Sequence, residues 1–523
     1  MGGEPHAVET RSRTLTTVLV MVCTAASRLF GYVRQALIGI YFGDAGAADA
    51  MNAVFTVPNN LRKLFAEGAF SAAFIPVLSS TIEEDPSGKR SRDLVRTLIA
   101  FQLLVLAPLV GLSLVFPRAF VDLLTRFKDP AKVEMGVQLM RWMFNYILLV
   151  SLSALVMAVL NSHGKFAISA LSPLMFTLAT VLSLFFFHGR LGIIAQGVGV
   201  LAGGILQLLC QLPALRRQGY RFWPSFRFNN PDLARTAKLW VPYLASASIV
   251  AINQYIATLF ASGLEDGSVT AIANSVMFLQ IPLGIFMTSV ATVQFPKMSR
   301  QAAAQDNEGL RGSVSYGIQF IIILLVPSAV LLCLFGREII SATIQRGHFR
   351  PQGTLLASRA LTAYALGLVS MGLYTFLQRL FNSFKSFVVP IASAGVIAVI
   401  DIVLSLILKE TPLRVSGLAY ANTIAFTAGM ILLMVLARRR LGGVGMASIL
   451  LTLGKSILGS LPMAVLLIVF LRWKPDAWVH GGTLGTTVLF AAVVAVAVCM
   501  TLLMYVVLRI PFLADLFRKR QRA

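Results

Sequence analysis

The chain has 523 residues, 57% apolar and 13% charged, with a mean hydropathy of +0.78. Soluble domains carry about 25% charged residues, so this composition excludes a soluble globular protein and describes an all-α polytopic membrane protein. The net charge of +23 would point to nucleic acid in a soluble chain, but here Lys and Arg fall in short loops between apolar runs. There they set orientation and meet lipid headgroups, and nucleic acid is excluded as a partner.

A spanning helix needs about 20 apolar residues, and on that template the sequence divides into fourteen candidates. Residues 1–14 are polar, and no short apolar core with a cleavage site follows, so the first run is read as a retained helix. The first group of spans covers residues 15–42, 49–80, 93–116, 132–162, 166–187 and 191–216. A second group covers 233–262, 268–300, 311–335, 353–384, 387–408 and 415–436, and two further spans, 446–471 and 483–508, follow. The expected domains are an amino-terminal six-helix lobe (1–217), a basic linker interrupted by Pro224 and Pro231 (218–238), a second six-helix lobe (239–440) and a two-helix extension with a basic tail (441–523).

Loop charges orient the chain. Placing the amino terminus in the cytoplasm puts most loop Lys and Arg inside, among them Lys89, Arg90, Arg92, Arg216, Arg217, Arg221, Arg227 and Arg438 to Arg440. Both termini are then cytoplasmic.

Laid side by side at an offset of about 220 residues, the two six-helix groups repeat. Pro108 to Phe116 matches Pro327 to Phe335, Asn161-Ser162 with Lys165 matches Asn382-Ser383 with Lys385, and Phe74 to Ser79 matches Phe295 to Ser299. An even number of helices per repeat gives both lobes the same orientation, an arrangement typical of transporters built around a central cavity.

Charge inside the apolar runs marks the functional candidates. Arg28 and Arg34 share the run 15–42 with no acid to neutralise either. A charge at the bilayer centre costs roughly 2.5–3.5 kcal/mol, so both are read as lining a wet, anion-binding cavity. Six positions apart on a helix, they point about 120° from one another. In the next span Pro58 and Gly68 are expected to interrupt the helix, with Asn59, Arg62, Lys63 and Glu67 between or beside them; Lys63 and Glu67, four apart, are placed to pair. That leaves Arg62 as a third cation of the cluster. Asp49 is expected either to cap its helix or to partner Arg34.

The second group is poorer in charge. Its counterparts offer Asn253, Gln254, Asn274 and Gln280 with Met277, and no arginine. Asp401 with Asn422 and Thr423 is a candidate site for Na⁺ or a proton, set against the plainer reading of a buried Asp bonded to neighbouring helices. Gly199 and Gly203 fit close helix packing. Cys23, Cys210, Cys333 and Cys499 are scattered in apolar runs, so neither a disulfide framework nor a metal site is expected. No nucleophile with its base and no phosphate-cradling glycine loop is present, so no enzyme is expected and no cofactor is implied.

The segment Ser27-Arg28-Leu29-Phe30-Gly31-Tyr32-Val33-Arg34, then Phe42-Gly43, Ala48-Asp49-Ala50, Pro58-Asn59, Leu61-Arg62 and Phe65 to Ser71, resembles the amino-terminal signature of the MurJ (MviN) lipid II flippases. Gln345-Arg346-Gly347 with Phe349 and the helix layout extend the resemblance along essentially the whole chain. The resemblance implies a member of the multidrug/oligosaccharidyl-lipid/polysaccharide exporter superfamily in a bacterial cytoplasmic membrane. It also implies that the extension shapes a groove for a lipid tail. The substrate would be lipid II, carried between leaflets for peptidoglycan and cell shape by alternating access. The drive would be membrane potential or a cation gradient, Na⁺ or H⁺. By position, Arg28, Arg34 and Arg62 match the family's cavity arginines, with Ser27, Asp49, Asn59, Glu67 and Gln280 in support. A monomer that meets the cell wall synthesis machinery is compatible with it. The chain departs from the family pattern at Gln35, where an acid is common, and at Met277 and Gln280, where an arginine and a glutamate are common. The alternative readings are an exporter of another lipid-linked oligosaccharide, a cation-coupled drug antiporter of the same superfamily, or a non-transporting paralogue.

Overall fold

In a bilayer every backbone N–H and C=O must find a partner within the protein, which leaves helices as the economical way to span it. The structure, a computed structural model, describes residues 4–65, 69–384, 388–473 and 484–510, and every regular element among them is a helix. The first ten are α1 (Glu4–Phe42), α2 (Ala47–Phe65), α3 (Ala69–Glu84), α4 (Lys89–Val115), α5 (Pro117–Leu124), α6 (Pro130–Met143), α7 (Tyr146–Ser162), α8 (Phe166–Leu191), α9 (Ile194–Leu209) and α10 (Leu212–Arg217). They are followed by α11 (Pro231–Ser262), α12 (Ser268–Pro282), α13 (Thr288–Ala303), α14 (Asn307–Thr343), α15 (Pro351–Leu366) and α16 (Leu368–Ser383). The last four are α17 (Val388–Leu408), α18 (Val415–Leu441), α19 (Met446–Trp473) and α20 (Leu484–Val507).

Among the described residues ten helices are long and apolar enough to cross a membrane, or eleven when the α15 and α16 pair, bent by 49°, counts as one. The protein is therefore a multi-pass membrane protein, although the count stops short of the expected fourteen. One reason lies at residues 49–80. That stretch divides into α2, 19 residues carrying Asp49, Asn52, Asn59, Asn60, Arg62 and Lys63, and α3, only 16 residues long. Pro58 does not end α2 but sits inside it; Gly68 and Glu67 lie outside the described residues.

Local chemistry sets the helix ends. Asp129 accepts a hydrogen bond from the Ala131 amide at 2.9 Å with Pro130 in the first turn of α6, and Asn230 and Asp306 cap α11 and α14 in the same way. After Pro282 the helix widens into a π turn over Leu283–Met287 before α13, the relaxation expected where a proline removes an amide donor.

By packing the chain forms two compact units, residues 1–42 with 46–263, and residues 43–45 with 264–523. In the first, α7 is buried along almost its whole length between α2, α3, α4 and α9, and it contributes to both large apolar clusters. In the second, the 37-residue α14 is the axis, packed by α13, α15, α16, α19 and α20. Tyr505 on α20 donates to the Ile323 carbonyl of α14 at 2.9 Å, and Gly459 of α19 gives its ring room.

The repeat is visible in the helices. Pro108 and Pro327 lie inside α4 and α14, and the Asn-Ser pairs close α7 and α16. The correspondence fails at one place: α1 packs chiefly on α8, whereas its counterpart α11 packs on α2 and α3. Helix α11 therefore completes the first unit, and the packing seam falls after residue 263, beyond the expected linker at 218–238.

The three-residue connector 43–45 belongs to the second unit. The Asp44 carboxylate, 5% exposed, accepts from Arg350 Nε at 2.9 Å and from the Arg350 backbone amide at 3.3 Å. A Cβ on Gly267 would stand 2.9 Å from the Asp44 carbonyl oxygen, so only glycine admits the strand of chain there.

Helices α8 and α9 meet through small residues. A Cβ on Gly203 would fall 2.8 Å from the Phe176 carbonyl oxygen, and one on Gly199 2.8 Å from Ser183 Cβ. Backbone cannot retreat like a flexible side chain, so Gly203→Leu should cost about 1–3 kcal/mol and lower the melting temperature of the purified protein in detergent. Gly111→Ala, where nothing stands within 4 Å, should leave it unchanged or raise it; equal melting of the two variants would refute this packing.

Candidate functional site

Helix spacing of three and four residues brings Asn52, Phe55, Asn59 and Arg62 to one side of α2. The neighbouring α1 presents Arg34 and Gln35 to it. Gln35 Nε2 donates to Asn52 Oδ1 at 3.2 Å, and the Arg34 guanidinium lies over the Phe55 ring, 4.6 Å from its centroid. Arg62 is held from its own helix, where Nε and Nη2 donate to Asn59 Oδ1 at 3.3 and 3.1 Å.

Arg34 feels both Arg62 and Tyr146 electrostatically, and its buried Nε has no hydrogen-bond partner. An aromatic platform thus lies beneath one cation, and an amide oxygen steers the other. Guanidinium groups match the flat, paired oxygens of a phosphate better than an ammonium does.

Arg28 is placed differently. It lies about 9 Å before Arg34 along the helix axis, its side chain is exposed, and it makes no hydrogen bond or ion pair among the described residues. Ser27 beside it is half-buried. Arg34 and Arg62 thus stand on the neighbouring helices α1 and α2, and Arg28 lies exposed on α1.

Asp49 partners neither Arg34 nor only its own helix end. Its carboxylate meets Lys132 Nζ of α6 at 2.9 Å, with side chains 2% and 8% exposed, and the ammonium also faces the Phe127 ring at 5.4 Å. The pair lashes α2 to α6 and so fixes the helix that bears Arg62. Lys132 was legible as a charge at the start of an apolar run, but nothing in the spacing links it to a residue 83 positions earlier.

In the second unit, Asp401 is buried and accepts from Asn422 Nδ2 at 2.7 Å and Ser405 Oγ at 3.2 Å. Thr423 turns elsewhere, donating to the Ala363 carbonyl at 2.7 Å. Ser405 thus stands beside Asp401 and Asn422 in place of Thr423. Gln280 is exposed on α12 and Met277 half-buried. Glu67 lies outside the described residues, as does the Lys63 side chain.

Removing one member of a buried ion pair leaves the other charge uncompensated, at a cost of about 3–5 kcal/mol. Lys132→Met should therefore lower thermal stability in detergent sharply, and adding Asp49→Leu should restore much of it. A double variant no more stable than the single would show that the pair does not carry this coupling.

Comparison with known proteins agrees with this architecture. A family model described as lipid II flippase MurJ matches residues 38–489. A probable lipid II flippase MurJ of Borreliella burgdorferi is 30% identical over 462 residues, 88% of this chain and 90% of that protein. One of Vibrio cholerae is 30% identical over 429 residues, 80% and 81%. Among solved structures, a lipid II flippase MurJ in an inward closed conformation matches with a TM-score of 0.78 and 25% identity, covering 96% of this chain and all of that one. An inward-facing multidrug resistance MATE transporter of the MOP superfamily, 13% identical with a TM-score of 0.69 over 81% of this chain and 98% of its own, shares the fold alone. Matched along most of its length by family, relatives and structure, this chain belongs to the lipid II flippase MurJ family.

Proposed function

We propose that this chain is a lipid II flippase, moving the polyprenyl-diphosphate-linked precursor from the inner to the outer leaflet of a bacterial cytoplasmic membrane for cell wall synthesis. The observation that carries the reading is the placement of Arg34 and Arg62 on the neighbouring helices α1 and α2, the one over the Phe55 ring and the other held by Asn59, in a chain of this family. The diphosphate seats on these two guanidinium groups, and Arg28, exposed two turns along α1, meets it on approach. Because the charges are fixed by Phe55, Asn59 and the Asp49–Lys132 lashing, little reorganisation is needed when the anion arrives.

Alternating exposure of the site to the two sides moves the headgroup while the polyprenyl chain stays in lipid. The protein acts as a transporter and makes or breaks no covalent bond. The excess of Lys and Arg in the loops supports cytoplasmic termini. Membrane potential or a cation gradient supplies the drive, with Asp401, bonded to Asn422, as the acid through which Na⁺ or H⁺ would act.

The test is replacement of a bacterium's resident flippase by this chain, reading lipid II at the outer surface with an impermeant probe. The wild-type chain should restore exposure. Arg34→Ala and Arg62→Ala, at equal membrane level, should reduce it by about tenfold or more, the loss of roughly 1.4 kcal/mol of headgroup binding per decade. Failure of the wild-type chain despite good expression would sink the function in that host, and full exposure with both alanines would sink the site.

A further inference from the structure

The segment between α10 and α11 combines cations with large exposed rings. Trp223 is 68% exposed, Phe226 63% and Phe228 39%, and they alternate with the exposed Arg216, Arg217, Arg221 and Arg227. A solvated charge run explains the arginines. It does not explain three aromatic side chains turned outward among them.

The segment is tied down rather than loose. The Ser225 amide donates to the Arg96 carbonyl at 3.0 Å, Arg96 Nε donates to the Trp223 carbonyl at 3.3 Å, and Thr97 Oγ1 donates to the Arg227 carbonyl at 3.5 Å. Further back, the Tyr220 hydroxyl bonds Ser91 Oγ at 3.2 Å and the His163 ring at 3.0 Å. Burial in that corner, with Lys165 nearby, holds the His163 pKa below its ordinary value.

Those anchors set the height of the segment. Ser91, Arg96 and Thr97 occupy the first turns of α4, a membrane-crossing helix that carries no charged residue from Leu98 to its end at Val115. The rings therefore stand at the level where the helix enters the bilayer, the layer that aromatic residues favour.

Cations predominate at this corner. Of its acids, Asp232 binds Arg90 at 2.9 Å, and Glu84 binds Arg90 at 3.2 Å and Arg235 at 3.7 Å, while Glu83 and Asp93 stand exposed. Among the described residues none of Arg216, Arg217, Arg221 and Arg227 has an ion pair.

We propose that residues 216–228 form a lipid-recognition surface, in which Trp223, Phe226 and Phe228 insert in the interfacial layer and the four arginines gather the phosphates of anionic phospholipids in the adjoining leaflet. Ring and cation serve one another: insertion brings the guanidinium groups to phosphate depth, and phosphate binding holds the rings in lipid. The surface is separate from the Arg34 and Arg62 site, so it is measurable without transport.

The full chain is reconstituted in phosphatidylcholine vesicles doped with either brominated phosphatidylglycerol or brominated phosphatidylcholine, and tryptophan quenching is recorded. The Trp223 contribution is the difference between wild type and Trp223→Phe. Brominated phosphatidylglycerol should quench that contribution about threefold or more strongly than brominated phosphatidylcholine. The preference should vanish in the combined variant R216Q, R217Q, R221Q and R227Q, with its melting temperature retained. Equal quenching by the two lipids, in a protein that melts as wild type, would overturn recognition of anionic headgroups. Absence of quenching by either would place the rings in water or against protein and overturn the surface altogether.

Discussion

The energetic constraint that organises the first unit is the cost of a charge away from water. The chain meets it in two ways along α2 and its neighbours. Asp49 and Lys132 settle it internally, each nearly inaccessible and each the other's counter-ion. Arg34 and Arg62 are held differently, by an aromatic face and an amide oxygen, which orient a cation. The closed Asp49–Lys132 pair keeps the helix that bears Arg62 rigid enough to hold that cation in place.

The same economy governs the backbone. Helices run where lipid would leave amides unsatisfied, and departures from regularity fall where local residues make up the difference: a π turn beside Pro282, a 49° bend at Gly367. A Cβ at Gly367 would stand 2.6 Å from Thr423 Oγ1, so the bend also seats α18 against the joint. Glycines at 199 and 203 do for α8 and α9 what side chains do elsewhere, by letting backbones approach.

Much of this was legible in the sequence because hydropathy and charge are local properties. The all-helical class, the repeat pivoting on Pro108 and Pro327, and the isolation of the amino-terminal arginines follow from counting along the chain. What escaped was set by contacts between distant residues. Lys132 gave no sign of its partner, Phe55 looked like one apolar residue among many, and Thr423 beside Asn422 looked like a ligand until its hydroxyl found the Ala363 carbonyl. Periodicity alone assigned α11 to the second lobe; its packing on α2 and α3 is a tertiary fact that no window of sequence contains.

The connector 43–45 has a consequence for the order of assembly. Asp44 meets Arg350 across a sequence separation of 306 residues. At synthesis rates of about 5–20 residues per second, Asp44 waits on the order of 15–60 s for its partner to be made. During that interval the first unit already has its own residues, including α11, whereas the corner of the second unit at Gly267 and Arg350 cannot close without a piece delivered long before. The nascent chain must therefore keep a buried-to-be carboxylate hydrated at the end of its first helix until Arg350 is made, and the second unit is completed with a piece of chain delivered long before the rest of it.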